Sequence, residues 1–380
     1  MTGVAMDPVE MLRDRVRDAA NTGTRLRIAG RGTWMDAGRP VTAHETLSTS
    51  DCSGIVDYVP DDLTLTARAG TTLGEIHDAI AAHGQWLALD PHGGDGGSLG
   101  ATLATNSAGP LACSFGQPRD LALGVAFVTC TGVLARGGGR VVKNVAGFDL
   151  TRLSIGAWGT LGIISEATVR LHARPTGEAT ITIALDDAAS GVERVRLLLR
   201  RLPFTPYACE VLNAALAASM LGNDRPTVLV RLGGNAGALR AQTASFVELG
   251  TVIEADPGLW LQLRTAEPPN AMVVRLSRLP SDIGRTWRDA AAIADACPGT
   301  LLHASPVRGV VRCIVPRDER AERALTSAVA SMTSTRLGER LPSPTWKVLP
   351  APASDSLSRG VRAAFDPHHI LNPGIMGDVT

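Results

Sequence analysis

Apolar positions across residues 7–20 fall on one side of a helix. Val9, Leu12 and Val16 share a face, Asp7 can cap the first turn, Pro8 suits it, and Gly23 can end it. Residues 26–29 form a short apolar run leading into Gly30-Arg31-Gly32, which predicts a strand and a tight turn. Two further strands are predicted at 55–59 and 63–67 around Pro60-Asp61-Asp62. Thr72 and Glu75 have capping-box spacing and open a helix that Gly84 closes. The periodicity then stops: residues 91–110 are rich in Gly, Ser and Asn. It resumes in a β-rich run at 121–129 and in the segment 139–170, which ends in strand-like sequence reaching Leu171.

After Arg174-Pro175 the pattern changes. Strand-like runs at 179–185, 227–232, 271–277, 301–304 and 310–315 alternate with amphipathic helical stretches at 188–201, 236–249, 281–296 and 319–332. This predicts a second α/β unit with few glycine-rich loops. From about residue 341 the chain is proline-rich and ends in Asp366-Pro-His-His-Ile-Leu-Asn-Pro-Gly374. The organisation expected is a first domain at 1–174, a second at 175–340 and a C-terminal segment at 341–380 that packs back on the first. A length of 380 residues agrees with two domains at roughly 150 residues each.

Composition removes several classes. Basic and acidic side chains balance at 37 each, so the cation excess that nucleic-acid or polybasic membrane binding requires is missing. Only two lysines occur, Lys143 and Lys347, a bias that reads as compositional. The six cysteines are scattered with no C-x-x-C, which argues against zinc, redox-pair or iron–sulfur sites and for buried free thiols in a reducing compartment. The first ten residues lack a cationic start followed by an apolar stretch, and no uninterrupted apolar run approaches 18 residues. A soluble, cytoplasmic protein is expected.

Glycine, at 40 residues, is the informative excess. Three segments concentrate it: Ile28 to Trp34, Gly96 to Gly109, and Gly156 to Gly162. Backbone N–H groups with no Cβ in the way are what a phosphate-bearing ligand needs, and three such loops suggest an extended ligand touched at several places. Other motifs fail. There is no G-x-G-x-x-G and no P-loop lysine. Gly96-Gly-Ser98-Leu-Gly100 fits the G-x-S-x-G regex, yet no strand precedes Ser98 to make a nucleophile elbow. His92, His368 and His369 lack metal-ligand spacing, and solvated or capping roles fit the last two.

Read in order, the glycine segments resemble the flavin-binding fold of the vanillyl-alcohol-oxidase or p-cresol-methylhydroxylase (PCMH) type. Val59 to Leu73 looks like that family's strand–turn–strand, Gly97 to Gly109 like its pyrophosphate and flavin loop, and Gly159 to Leu171 like its closing strand. Within it, Val142 to Leu150, Trp158 and the ending from Phe365 to Met376 most resemble the FAD-binding E subunits of bacterial glycolate oxidases. The resemblance implies an α+β fold: a two-subdomain PCMH-type FAD-binding domain, an α/β cap, and a tail returning to the FAD domain. Ala29, Gly30, Arg31, Gly32, Thr33 and Trp34 would wrap the pyrophosphate. Pro91, Gly97, Ser98, Gly100 and Ala101 would line pyrophosphate and ring, and Ile164 would meet the adenine side. Neither Gly97 nor Gly100 is expected to accept a bulky side chain. Many relatives attach FAD through a histidine in the first loop. Thr33 and Trp34 stand there instead, so FAD is expected to be noncovalent.

The activity implied is oxidation of a small 2-hydroxy acid by hydride transfer to the flavin N5, which also needs a base and a cation for the substrate carboxylate. Arg275 and Arg231, on cap strands, and Lys143 are the candidates; an ordinary surface or ion-pair role remains the simpler reading of each. No base stands out. His303 is the only histidine between Pro175 and Leu341, so the cap metal site of D-lactate and D-2-hydroxyglutarate dehydrogenases is not expected. Without iron–sulfur cysteines, electrons would leave to a diffusible acceptor or to partners, a paralogous flavoprotein subunit and an iron–sulfur subunit, which could place the protein at the inner face of the membrane. The alternative is an accessory subunit that holds FAD and relays electrons without turnover of its own.

Overall fold

The computed structural model describes residues 6–139 and 149–377, and all that follows concerns these residues. The chain divides into two compact units. The first is drawn from three stretches: the chain up to Ala108, Gly116–Arg174, and the chain from Ala351. The second comprises Gly109–Phe115 and Pro175–Pro350.

The first unit opens with a helix at Pro8–Thr22, capped by Asp7 and closed by Gly23 in the left-handed conformation, with Leu12, Val16 and Ala19 on its buried side. Its strands are β1 (Leu26–Ala29), β2 (Glu45–Ser48), β3 (Ile55–Val59), β4 (Thr64–Arg68), β5 (Gln85–Trp86), β6 (Ala122–Val128), β7 (Leu134–Gly138), β8 (Ile163–Arg170) and β9 (His172–Ala173). Strands β3-β4-β8-β6-β7 form an antiparallel sheet in that order. It packs on helices Leu73–Ala81 and Leu99–Thr105 through Leu65, Leu73, Ile76, Leu99, Leu103 and Phe127. The predicted capping box is present: Thr72 Oγ1 accepts the Glu75 amide at 3.0 Å, and the Glu75 carboxylate accepts the Thr72 amide at 2.7 Å. Strands β1 and β2 pair in parallel, and Leu371 bridges to Leu26 on the open side of β1.

The second unit is built on one antiparallel sheet of eight strands. These are β10 (Gly177–Ala184), β11 (Ala208–Leu212), β12 (Thr227–Gly234), β13 (Val252–Ala255), β14 (Met272–Ser277), β15 (Leu301–Ser305), β16 (Val310–Val315) and β17 (Thr335–Arg340). Their order is β13-β10-β12-β11-β15-β16-β14-β17. Helices Ala188–Arg201, Ile283–Ala296 and Glu319–Ser331 bury Val195, Leu198, Trp287, Ile293 and Leu325 against one face of the sheet. Part of the other face is closed by Leu216, Trp260 and Leu263. The inserted segment 109–115 joins this unit through Phe115, whose ring stands edge-on to Tyr207 with centroids 5.0 Å apart, and through the Gly109 carbonyl, which accepts from Arg308.

The proline-rich stretch after 341 does not return at once. Strand β17 extends the second sheet, and helix Ser343–Val348 buries Trp346 in the same core, so the chain rejoins the first unit only from Ala351. All six cysteines are buried and free. No helix among the described residues is long and apolar enough to cross a membrane.

Candidate functional site

The three glycine segments meet in the first unit. Strand β1 ends at Ala29, and Gly30 passes so close to the start of helix Leu99–Thr105 that a Cβ there would lie 2.5 Å from Ser98 Oγ and 2.9 Å from Ala101 Cβ. Gly32, at φ +76°, turns the chain back. The third segment is bonded to the far end of the same helix: the Gly156 amide donates to the Leu103 carbonyl at 3.1 Å and the Trp158 amide to the Ala104 carbonyl at 2.8 Å. Trp158 is itself left-handed at φ +54°, a conformation that typically costs about 1–3 kcal/mol in a non-glycine residue.

Between these segments lies a cleft. Its wall includes Ala29, Gly30, Arg31, Gly32, Thr33 and Trp34 from the first segment, Gly100 and Ala101 from the second, and Ile164 from β8. Pro91, Gly97 and Ser98 are not part of that wall. Ser98 caps the helix instead, accepting the Ala101 amide, which gives the serine of the G-x-S-x-G match a structural task. Gly97 sits in a turn where an added Cβ would meet only the Gly94 carbonyl, at 3.7 Å, so the protein itself leaves room for a side chain. The restriction expected at both glycines therefore holds at Gly100, where a Cβ would lie 2.5 Å from that of Ala69.

Sequence reasoning missed Arg27. It lines the cleft, its Nη2 donates to the Ala37 carbonyl at 3.2 Å, and its Nη1 is buried with no hydrogen-bond partner. Burial pushes this guanidinium below its usual pKa, since a desolvated cation lacks the solvation it has in water. An anionic ligand would relieve that cost. The residue escaped notice because it lies within a strand, ahead of the glycine motif. Asn372, which also lines the cleft, was missed for a different reason: it is remote in sequence.

In the second unit, the face of β14 carrying Met272, Val274 and Leu276 enters the core, and Arg275 stands on the other. His303, Arg312 and Arg275 face one another in register across β15, β16 and β14. Arg312 is 2% exposed and donates to Glu339 and Glu267; Glu267 also pairs with Arg340. Arg275, 25% exposed in its side chain, has Glu339 only at 3.9 Å. Its pKa is lowered, first by burial and then by the charges of Arg308 and Arg312, against the pull of Glu339. Arg275, Arg312 and Arg340 thus all lie beside Glu339 or Glu267. Burial pushes Glu339 up, but Arg312 and then Arg275 outweigh it and hold this carboxyl below its usual range. His303 Nδ1 lies 2.8 Å from Glu210 Oε2, both buried. Arg231 is held by Glu178 through its Nε at 2.7 Å and its Nη2 at 2.6 Å, so its charge is matched locally. Lys143 lies outside the described residues.

Residues 4–138 match the FAD-binding domain family. The chain is 34% identical over 266 residues to the Escherichia coli glycolate oxidase subunit GlcE, covering 69% of this chain and 70% of that one. It is 30% identical over 176 residues to the Bacillus subtilis glycolate oxidase subunit GlcD, covering 46% and 35% of the two chains. It is also 26% identical over 365 residues to a Xanthomonas citri D-2-hydroxyglutarate dehydrogenase, covering 84% and 76%. Alkyldihydroxyacetonephosphate synthase shares the fold, with a TM-score of 0.67 over 96% of this chain and 74% of that one, at 17% identity. The chain belongs to the FAD-binding glycolate oxidase subunit family and is an FAD-dependent oxidoreductase.

Gly100→Val should abolish FAD binding through displacement of the helix from Ala69, whereas Gly97→Ala should leave folding intact; FAD titration and circular dichroism of both variants check this. In the second unit, Arg312→Ala strips the buried Glu339 and Glu267 of their shared partner and should destabilise it by about 3 kcal/mol in urea unfolding. Because the folded pKa of Glu339 is depressed, its contribution is present above the unfolded value of 4.5 and lost as pH falls through the lower folded value. Glu339→Gln should flatten that acid limb.

Proposed function

We propose that this chain holds FAD noncovalently in the glycine-lined cleft of its first unit and serves, within a glycolate-oxidase-type assembly, in the oxidation of a small 2-hydroxy acid. The observation that carries the cofactor assignment is the convergence of three glycine segments on one cleft with Arg27 in its wall. Gly30 and Gly32 leave the backbone of the first loop bare, as close approach to a pyrophosphate requires. Arg27 supplies a positive charge, and Ala101 and Gly100 form the opposite wall. When bound, FAD supplies the acceptor for the substrate hydride. Thr33 has no imidazole for a covalent link, hence the noncovalent assignment.

For the substrate, the second unit offers Arg275. Its guanidinium stands 3.9 Å from Glu339 without a close ion pair, and a planar fork suits a carboxylate. Arg231, matched by Glu178, is the weaker candidate. The six cysteines are dispersed and buried, so onward electron transfer falls to an acceptor outside the chain. Likeness to both a GlcE and a GlcD subunit supports a paralogous flavoprotein as one partner, with an iron–sulfur subunit as the next carrier.

The purified protein should be yellow and should release FAD into the supernatant on acid precipitation; colour held in the pellet overturns the noncovalent assignment. Turnover of 2-hydroxy acids should then be measured with a dye acceptor, on the chain alone and with its partner subunits. Loss of a charged hydrogen-bond partner in a desolvated site costs about 2–5 kcal/mol. Arg275→Ala should therefore raise KM more than tenfold with FAD content unchanged, and Arg275→Lys should restore little. Normal kinetics of the variant in the assembled complex would rule Arg275 out and identify this chain as an accessory carrier of FAD.

A further inference from the structure

Near its end the chain folds into a loop bonded to both sides of the cleft. Asp366, fully buried, accepts the amides of Ile370 at 3.1 Å and Leu371 at 2.9 Å. Arg362 lies 3.3 Å from that carboxylate and donates to the Leu371 carbonyl at 2.6 Å. The loop so fixed runs beside β1: the Leu26 amide donates to the Ile370 carbonyl at 2.7 Å, and the Asn372 amide to the Leu26 carbonyl at 2.9 Å. Asn372, 3% exposed and left-handed at φ +46°, then uses both ends of its side chain. Oδ1 accepts the Ile28 amide at 2.7 Å, and Nδ2 donates to the Trp158 carbonyl at 2.6 Å. Ile28 precedes the first glycine turn by two residues, and Trp158 immediately precedes Gly159. One amide group therefore joins two walls of the cleft that are far apart in sequence.

We propose that Asn372 is a positioning residue for the flavin: it sets the separation of the first and third glycine segments, and so links docking of the C-terminal loop to retention of FAD. This rests on the assignment of the cleft to FAD. A primary amide is suited to the task, because it presents an acceptor and a donor side by side, matched here to one backbone N–H and one carbonyl. The strained Trp158 turn needs such support, since its conformation is unfavourable for a bulky side chain. Linkage is reciprocal: if the docked loop favours FAD, bound FAD favours the docked loop by the same factor.

The test uses the full-length apoprotein titrated with FAD by flavin fluorescence, and hydrogen exchange with and without FAD. Asn372→Ala should raise the Kd for FAD at least tenfold while the apoprotein still unfolds cooperatively. Asn372→Asp, which keeps the acceptor for Ile28 but sets a buried carboxylate oxygen against the Trp158 carbonyl, should weaken binding at least as much. In the wild-type protein, FAD should slow exchange in residues 366–375 as it does in residues 29–34. An unchanged Kd in a folded Asn372→Ala variant overturns the proposal. If that variant does not fold, the wild-type exchange decides: protection of 29–34 without 366–375 overturns the role of Asn372 and leaves the cleft assignment standing, whereas protection of neither overturns both.

Discussion

The first unit depends on how closely bare backbone can approach a helix. Gly30 runs against Ser98 and Ala101, and Gly100, where a Cβ would lie 2.5 Å from that of Ala69, lets that helix sit down beside the strand. A Cβ at Gly30 would push the two glycine segments apart, and one at Gly100 would push the helix off Ala69, because packed interiors have no slack at this scale. The cleft is therefore a product of absent side chains. Its wall carries two guanidinium groups, those of Arg27 and Arg31, and Nη1 of Arg27 is buried without a hydrogen-bond partner.

The second unit solves a different problem. Its helices cover one sheet face with an ordinary apolar core, while the other face keeps Arg275, Arg312 and His303 in register. Buried ion pairs of this kind contribute little net stability, since desolvation offsets much of the attraction. What the network does contribute is direction: Arg312 is pinned by two carboxylates, so Arg275 is held beside a fixed cation and cannot take over its partners.

Much of this was legible in the sequence, and the gaps have physical causes. Helix Ala188–Arg201 and the Thr72 capping box follow from periodicity and caps, and both stand at the predicted residues. Helix Leu99–Thr105 was hidden because it is short and lies inside a glycine-rich stretch, where composition suggests loop. Strands β2, β13 and β17 have only one or two buried positions, or none, and so leave almost no alternation to detect. Of the glycine-segment residues, those that touch the cleft could not be separated from those that shape the turns: Gly97 and Gly100 look alike in sequence and differ only in what stands opposite them. Asn372 gave no local signal, because its two partners are backbone groups far upstream.

The buried cysteines carry a consequence for chemical durability. A thiol reacts as its thiolate. Burial, and after it the charge of Glu210, pushes Cys113 up to about 12, and burial raises Cys209 and Cys313 as well. At neutral pH a thiol near 12 is ionised in roughly one molecule in 10⁵. With all six cysteines buried and free, these thiols are both shielded and weakly nucleophilic at neutral pH, which disfavours sulfenate formation and mispaired disulfides.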